Sequence, residues 1–305
     1  MERNSFVKVY CWFIAALLMG CGNSVAAPPS KSAAFTLPEI PSAIANINSR
    51  REYLALHYWD NFDFENINLI KNDSLRSIAV GGYIQVLLMN PPVVVEKSID
   101  VSLSSALKSG YDQFEHITST LEEYLYNPNS PMRNEELYIY ILRYTVEKAQ
   151  IDDIYKIRSK NQLSMVLKNR IGEVANDFRC EDIEGKIYTL SQIKTPYTIL
   201  FFNTPDCGDC ARVKAYIGSS TYLTEMVRTG KLTILAIYTE KDMEIWRNAS
   251  YPSIILNTAD TQGEISKNRL YDLKALPTLY LLDSNKTILL KDRSIEEIDR
   301  YLNLK

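Results

Sequence analysis

Two cysteines separated by two residues, Cys207-Gly208-Asp209-Cys210, are the part of this sequence best suited to chemistry. That spacing lets two sulfurs close a small disulfide ring. If a helix opens at Cys207, its sulfur stands among unpaired backbone N–H groups at the positive end of the helix dipole, which stabilise a thiolate. A thiolate attacks a disulfide sulfur, and a second thiol close by then displaces the mixed disulfide. Cys207 is therefore the expected nucleophile, and Cys210 the resolving, more buried thiol. Asp206 and Asp209 flank the nucleophile. Two carboxylates oppose the thiolate's charge, so they should disfavour it and with it the reduced form, against the pull of the helix dipole. The expected character is a reductant, since strong oxidants of this chemistry are those whose reduced form is stabilised.

Other reactive residues are sparse. His57 and His116 are the two histidines, so a three-histidine zinc site cannot form within one chain. A zinc site built on the cysteine pair would need a second pair or a nearby histidine, and neither is present. Cys180, in Asp177-Phe178-Arg179-Cys180, reads as a small buried residue on a strand. Lys214 is expected to face solvent. Thr204 with Cys207 matches the T-x-x-C fragment of thiol peroxidases, but Leu200 stands where that chemistry has a proline.

These residues need a frame to position them. Tyr197 to Phe202 (YTILFF) and Leu232 to Tyr238 (LTILAIY) read as buried strands, with a helical stretch between them starting at Cys207. Thr278 to Leu282 and Thr287 to Leu290 are two more strands, split by a turn at Asp283-Ser284-Asn285-Lys286. Asp242 to Asn248 and Ser294 to Leu302 read as helical. Strands alternating with helices predict an α/β sheet over residues 171–305.

Residues 42–170 follow a different pattern. Phe114, Ile117, Leu121, Tyr124 and Leu125 share one helical face, as do Leu137, Ile141, Leu142 and Thr145, and Ile99, Leu103 and Leu107. Asn90-Pro91-Pro92 and Asn127 to Pro131 punctuate such segments. The pattern predicts an all-helical domain of about six or seven helices. Its many tyrosines, and the run Tyr58 to Phe64, read as packing residues. Residues 1–20 read as an export signal, with Arg3 and Lys8 before a short apolar run. Residues 21–41, rich in Ala, Pro and Ser at the start, are expected to be a flexible tether.

Two resemblances follow from these motifs. Leu18-Met19-Gly20-Cys21 resembles the lipobox of bacterial lipoproteins, which implies cleavage before Cys21 and lipidation of that cysteine. The buried strand, the C-x-x-C and the late Leu276-Pro277-Thr278 together resemble the thioredoxin superfamily, especially its membrane-tethered periplasmic branch. Gly172, Ala175, Asp177-Phe178, Glu184-Gly185-Lys186 and Leu190 resemble the leading hairpin of that branch. The resemblance implies a thioredoxin-like α/β domain with a central mixed sheet after the helical domain. It implies a cis Pro277 packed on the dithiol, with Leu276 and Thr278 contacting an extended substrate. The sequence departs from the family at Asp206 and Asp209, and at Phe201 and Val213, where the family's buried proton acceptors would stand.

Composition limits the remaining choices. The 305 residues carry 34 basic and 37 acidic side chains, a net charge of -3, with no basic footprint for nucleic acid. The expectation is a lipid-anchored, periplasm-facing thiol:disulfide oxidoreductase of a Gram-negative-type bacterium, with no cofactor beyond its dithiol. Its partners would be disulfide-bearing periplasmic proteins and an electron-supplying membrane thiol relay. The alternatives are a redox-inert scaffold or binding lipoprotein of the same fold, and a thiol peroxidase.

Overall fold

The structure is a computed structural model and describes residues 35–304 except 67, 68 and 70. The expected export signal (residues 1–20) and Cys21 lie outside the described residues. The chain divides at Leu163/Ser164 into two compact units.

The first unit is helical. Its described α-helices are α1 (Ile47–His57), α2 (Asp73–Leu88), α3 (Pro92–Ser109), α4 (Tyr111–Leu125), α5 (Glu135–Arg143) and α6 (Asp153–Val166), and a π-helical turn (Tyr144–Lys148) follows α5. Side chains of Asn46, Asn72 and Asn134 cap α1, α2 and α5, and Pro92 opens α3 where a missing N–H costs nothing. The predicted stripes face inward: Phe114, Ile117, Leu121 and Leu125 of α4 and Leu137, Ile141 and Leu142 of α5 are buried. The aromatic run is core too, with Tyr58, Trp59, Phe62 and Phe64 all buried. Within the stretch expected to be a flexible tether through residue 41, the described part from Phe35 on makes contacts with the helical unit. Phe35 packs 5.3 Å from the Tyr58 ring and 5.6 Å from Trp59, and the Leu37 carbonyl accepts from Asn61. Burying one aromatic ring outweighs the freedom of a few polar residues around it.

The second unit carries a seven-stranded sheet in the order β2-β1-β5-β4-β3-β6-β7. Its strands are β1 (Arg179–Asp182), β2 (Ile187–Thr189), β3 (Tyr197–Phe202), β4 (Leu232–Tyr238), β5 (Ile255–Ala259), β6 (Thr278–Leu282) and β7 (Ile288–Lys291). β3, β4 and β5 are parallel; β6 joins β3 antiparallel and β1 joins β5 antiparallel, so the sheet is mixed. The helices are α7 (Gly208–Ser219), α8 (Thr221–Arg228), α9 (Met243–Arg247), α10 (Glu264–Lys267) and α11 (Ile295–Asn303). Alternation along β3 builds two cores: Ile199 and Phe201 join one with α7, α8 and α11, while Leu200 and Phe202 join another with Phe178, Tyr271 and Tyr280. The single helical stretch expected after Cys207 is two helices, because Ser220 stops α7 and caps α8 through Leu223.

Candidate active site

β3 delivers the chain to the site. After Phe202 come Asn203, Thr204, Pro205 and Asp206, and Cys207 then caps α7 with extended backbone. The first helical residue is Gly208, so Cys207 stands just outside the helix with its sulfur against the open N–H groups. The Cys210 N–H donates to Cys207 Sγ at 3.1 Å. That N–H is one of the open donors in the first turn of α7, and the sulfur takes the place of its capping acceptor. Cys207 is partly exposed and Cys210 is fully buried, both as free thiols.

Strand pairing explains how a residue 69 positions away reaches this spot. Thr278 pairs with Phe202 in the antiparallel β3–β6 ladder. The turn before β6 therefore lies beside the turn after β3. There the Leu276 carbonyl accepts from the Cys207 thiol at 3.5 Å, and the Leu276–Pro277 peptide bond is cis. Leu276 packs against both cores, and the Thr278 hydroxyl donates to the Ala275 carbonyl at 2.7 Å. Cys207, Cys210, Leu276, Pro277 and Thr278 thus converge at one end of the sheet.

The two acids behave differently from one another. Asp206 accepts from the Thr204 hydroxyl at 2.6 Å, which holds its carboxyl below the usual carboxylate range. Asp209 instead pairs with Arg212 one turn along α7. Phe201 is fully buried, and with Val213 and Ile217 it gives Cys210 an apolar setting. Burial pushes the Cys210 thiol up to about 12, helped by its contact with Cys207.

The remaining sequence candidates lie elsewhere or do something else. His57 contacts Asp60 at 2.7 Å and stacks on Tyr53, and His116 bonds the Asp112 carbonyl; both are in the helical unit. Cys180 is buried on β1, and burial pushes its thiol up to about 11. Lys214, expected in solvent, is half-buried, with its ammonium 4.6 Å from the centre of the Tyr251 ring. Tyr251 and Asn203 escaped the sequence reading. Asn203 offered one signal, a polar residue directly after the apolar run Ile199–Phe202; Tyr251 offered none, because its loop meets α7 only in the fold.

A family model described as a domain of unknown function (DUF5106) matches residues 21–169. The chain is similar to a thioredoxin-like protein of known structure from Bacteroides caccae, with 34% identity over 88% of this chain and 98% of that one, at a TM-score of 0.82. It also resembles the C-terminal domain of an uncharacterized protein from Bacteroides fragilis (37% identity, 44% of this chain, 98% of that one, TM-score 0.43). A third likeness is to a domain of a "possible thiol-disulfide isomerase" from Cytophaga hutchinsonii (27% identity, 45% of this chain, 94% of that one, TM-score 0.40). No curated protein matches the chain.

Proposed function

The chain belongs to the thioredoxin-like proteins, and from that premise we propose that it is a thiol:disulfide oxidoreductase that reduces or reshuffles disulfides through Cys207 and Cys210. One observation carries the reading: the Cys207 sulfur caps α7, within reach of both the Cys210 N–H and the Leu276 carbonyl. The first contact favours the thiolate, and the second marks where an extended substrate backbone would lie. In the working cycle Cys207 attacks a substrate disulfide and forms a mixed disulfide. Cys210 then displaces it, leaving the protein oxidised and the substrate with two thiols. Leu276, Pro277 and Thr278 form the substrate-facing loop in this reading, and Asp206 sets the direction by opposing thiolate charge.

The reduction potential of the pair tests this. Equilibration with glutathione or dithiothreitol buffers should give a value near about -270 mV, the range of thioredoxin. A value near about -120 mV would make the protein an oxidant and reverse the assigned role of Asp206. A pair that never cycles would leave a redox-inert scaffold.

The cellular setting is part of the proposal. Residues 1–20 would export the chain and Cys21 would carry lipid, facing the dithiol toward periplasmic proteins and a membrane thiol relay that returns electrons. Among the described residues no helix is long and apolar enough to cross a membrane. In this reading the lipid on Cys21 is the attachment. Cys21→Ala should move the protein from the membrane fraction to the soluble or precursor fraction; unchanged membrane association removes the lipid-anchor reading.

A further inference from the structure

Beside the dithiol runs a chain of polar contacts that the exchange steps above do not use. Asn203, fully buried at the end of β3, donates from its side-chain amide to the Phe201 carbonyl at 2.9 Å. Its Oδ1 accepts from the Tyr251 hydroxyl at 2.6 Å. The Tyr251 ring packs against the same apolar cluster that encloses Cys210, and the Lys214 ammonium sits over that ring at 4.6 Å. Lys214 follows Cys210 by one helical turn, so both lie on one face of α7. Gly218, a further turn along, keeps that face open: a Cβ there would come within 3.0 Å of Pro252 Cγ. The helix and the Tyr251–Pro252 loop are thus fitted closely, and a cation is held at the seam.

We propose that Asn203 and Tyr251 position the Lys214 ammonium beside Cys210, where its charge assists loss of the Cys210 proton as this thiol resolves the mixed disulfide. Lys214 is a positioning residue in this account, rests on the oxidoreductase reading, and supplies charge in a pocket whose other walls, Phe201 and Val213, are apolar. The Cys210 proton leaves to water. The new thiolate forms a bond to Cys207 Sγ while the bond from Cys207 to the substrate sulfur breaks, and that sulfur leaves as a thiolate and is protonated. The dithiol gives up two electrons and the substrate disulfide takes them.

Electrostatics in the site run in the required direction. Burial and Cys207 push the Cys210 thiol upward, and the Thr204 backbone and, more weakly, the Lys214 charge act against them. The other groups facing this point are few. Tyr251 comes from the loop before β5, with Tyr238 of β4 near it and Asp206 near Tyr238. Asp209 is paired with Arg212 on the outer part of α7, and Asp299 of α11 is bonded to Tyr216.

The test uses the reduced full chain in detergent and a small excess of 5,5′-dithiobis(2-nitrobenzoate). Attack by Cys207 releases one coloured thiolate, and resolution by Cys210 releases the second, so the two phases separate the steps. In Lys214→Met the ratio of second-phase to first-phase rate at pH 7 should fall about tenfold, with the pH profile of the second phase moved up by about one unit. Lys214→Arg should restore most of the ratio, and Tyr251→Leu should lower it like Lys214→Met. An unchanged ratio and pH profile in folded Lys214→Met, or an equal loss in Lys214→Arg, overturns the proposal. Wild-type protein that releases only the first thiolate overturns the oxidoreductase reading itself and takes this inference with it.

Discussion

Cys207→Ser should lower disulfide reduction by about a thousandfold or more, to near the background of the reducing buffer alone. A hydroxyl at this position cannot supply the thiolate that attacks sulfur, and Cys210 is too buried to replace it. Cys210→Ser should behave differently. Cys207 would still attack, but the mixed disulfide would have no internal partner to displace it and would accumulate. Dithiothreitol-dependent reduction of insulin reads the first effect, and intact-protein mass under non-reducing conditions reads the second. Wild-type turnover in Cys207→Ser would remove the dithiol from the reaction and favour the scaffold alternative. Trapped adducts on Cys210 in place of Cys207 would reverse the roles drawn from the α7 cap.

Phe202→Ala should destabilise the thioredoxin-like unit by about 3–5 kcal/mol. Phe202 is fully buried at the end of β3, with its ring 4.9 Å from Tyr271 and 6.2 Å from Tyr280. Removing the ring leaves a cavity between Tyr280, fixed on β6, and the buried Tyr271 in the segment before it, close-packed neighbours that cannot fully collapse to fill it. A domain has about 5–15 kcal/mol in total, so the loss takes much of the unit's stability. The two units need not unfold together, and a single unfolding midpoint for the whole chain would blur the effect. Hydrogen exchange of the β3 and β4 amides isolates it: their protection should drop by the full amount, while the amides of α2 and α3 keep theirs. Protection in β3 and β4 within about 1 kcal/mol of wild type would show that the site frame does not depend on this ring.

The outcome at Lys214 shows the limit of local reading. Its position one turn after Cys210 is visible in the sequence, but its partner is not. Tyr251 lies in a loop that reaches α7 only when β5 pairs with β4, and β5 carries no clear strand pattern. Ile255–Ala259 carries Asn257 and Thr258, which break the apolar run. In the fold Asn257 accepts from Trp246 Nε1 at 2.9 Å and the Thr258 hydroxyl donates to the Ala236 carbonyl at 2.7 Å. Polar residues with buried partners read as a loop until those partners are known. The same reasoning covers Asp209, whose ion pair with Arg212 depends on side-chain positions that residue spacing does not give.

The amino-acid order by itself determined the features that need only neighbours. Three largely apolar runs became β3, β4 and β6, because a strand covered on both faces is apolar along most of its length, with threonine as its polar exception here. The cysteine spacing placed one sulfur outside α7 and one within it, since a helix cap is set by a few consecutive residues. The stripes of α4 and α5 followed from helical periodicity. Only the tertiary structure decided what meets the dithiol. The pairing of Phe202 with Thr278 brings Leu276 to Cys207, the entry to β5 brings Tyr251 over Lys214, and the Tyr58 and Trp59 rings hold Phe35. Each depends on a contact between segments far apart in the chain. Local sequence encodes which side of an element is buried; the identity of what lies against it is set by strand register and by the packing of the whole unit.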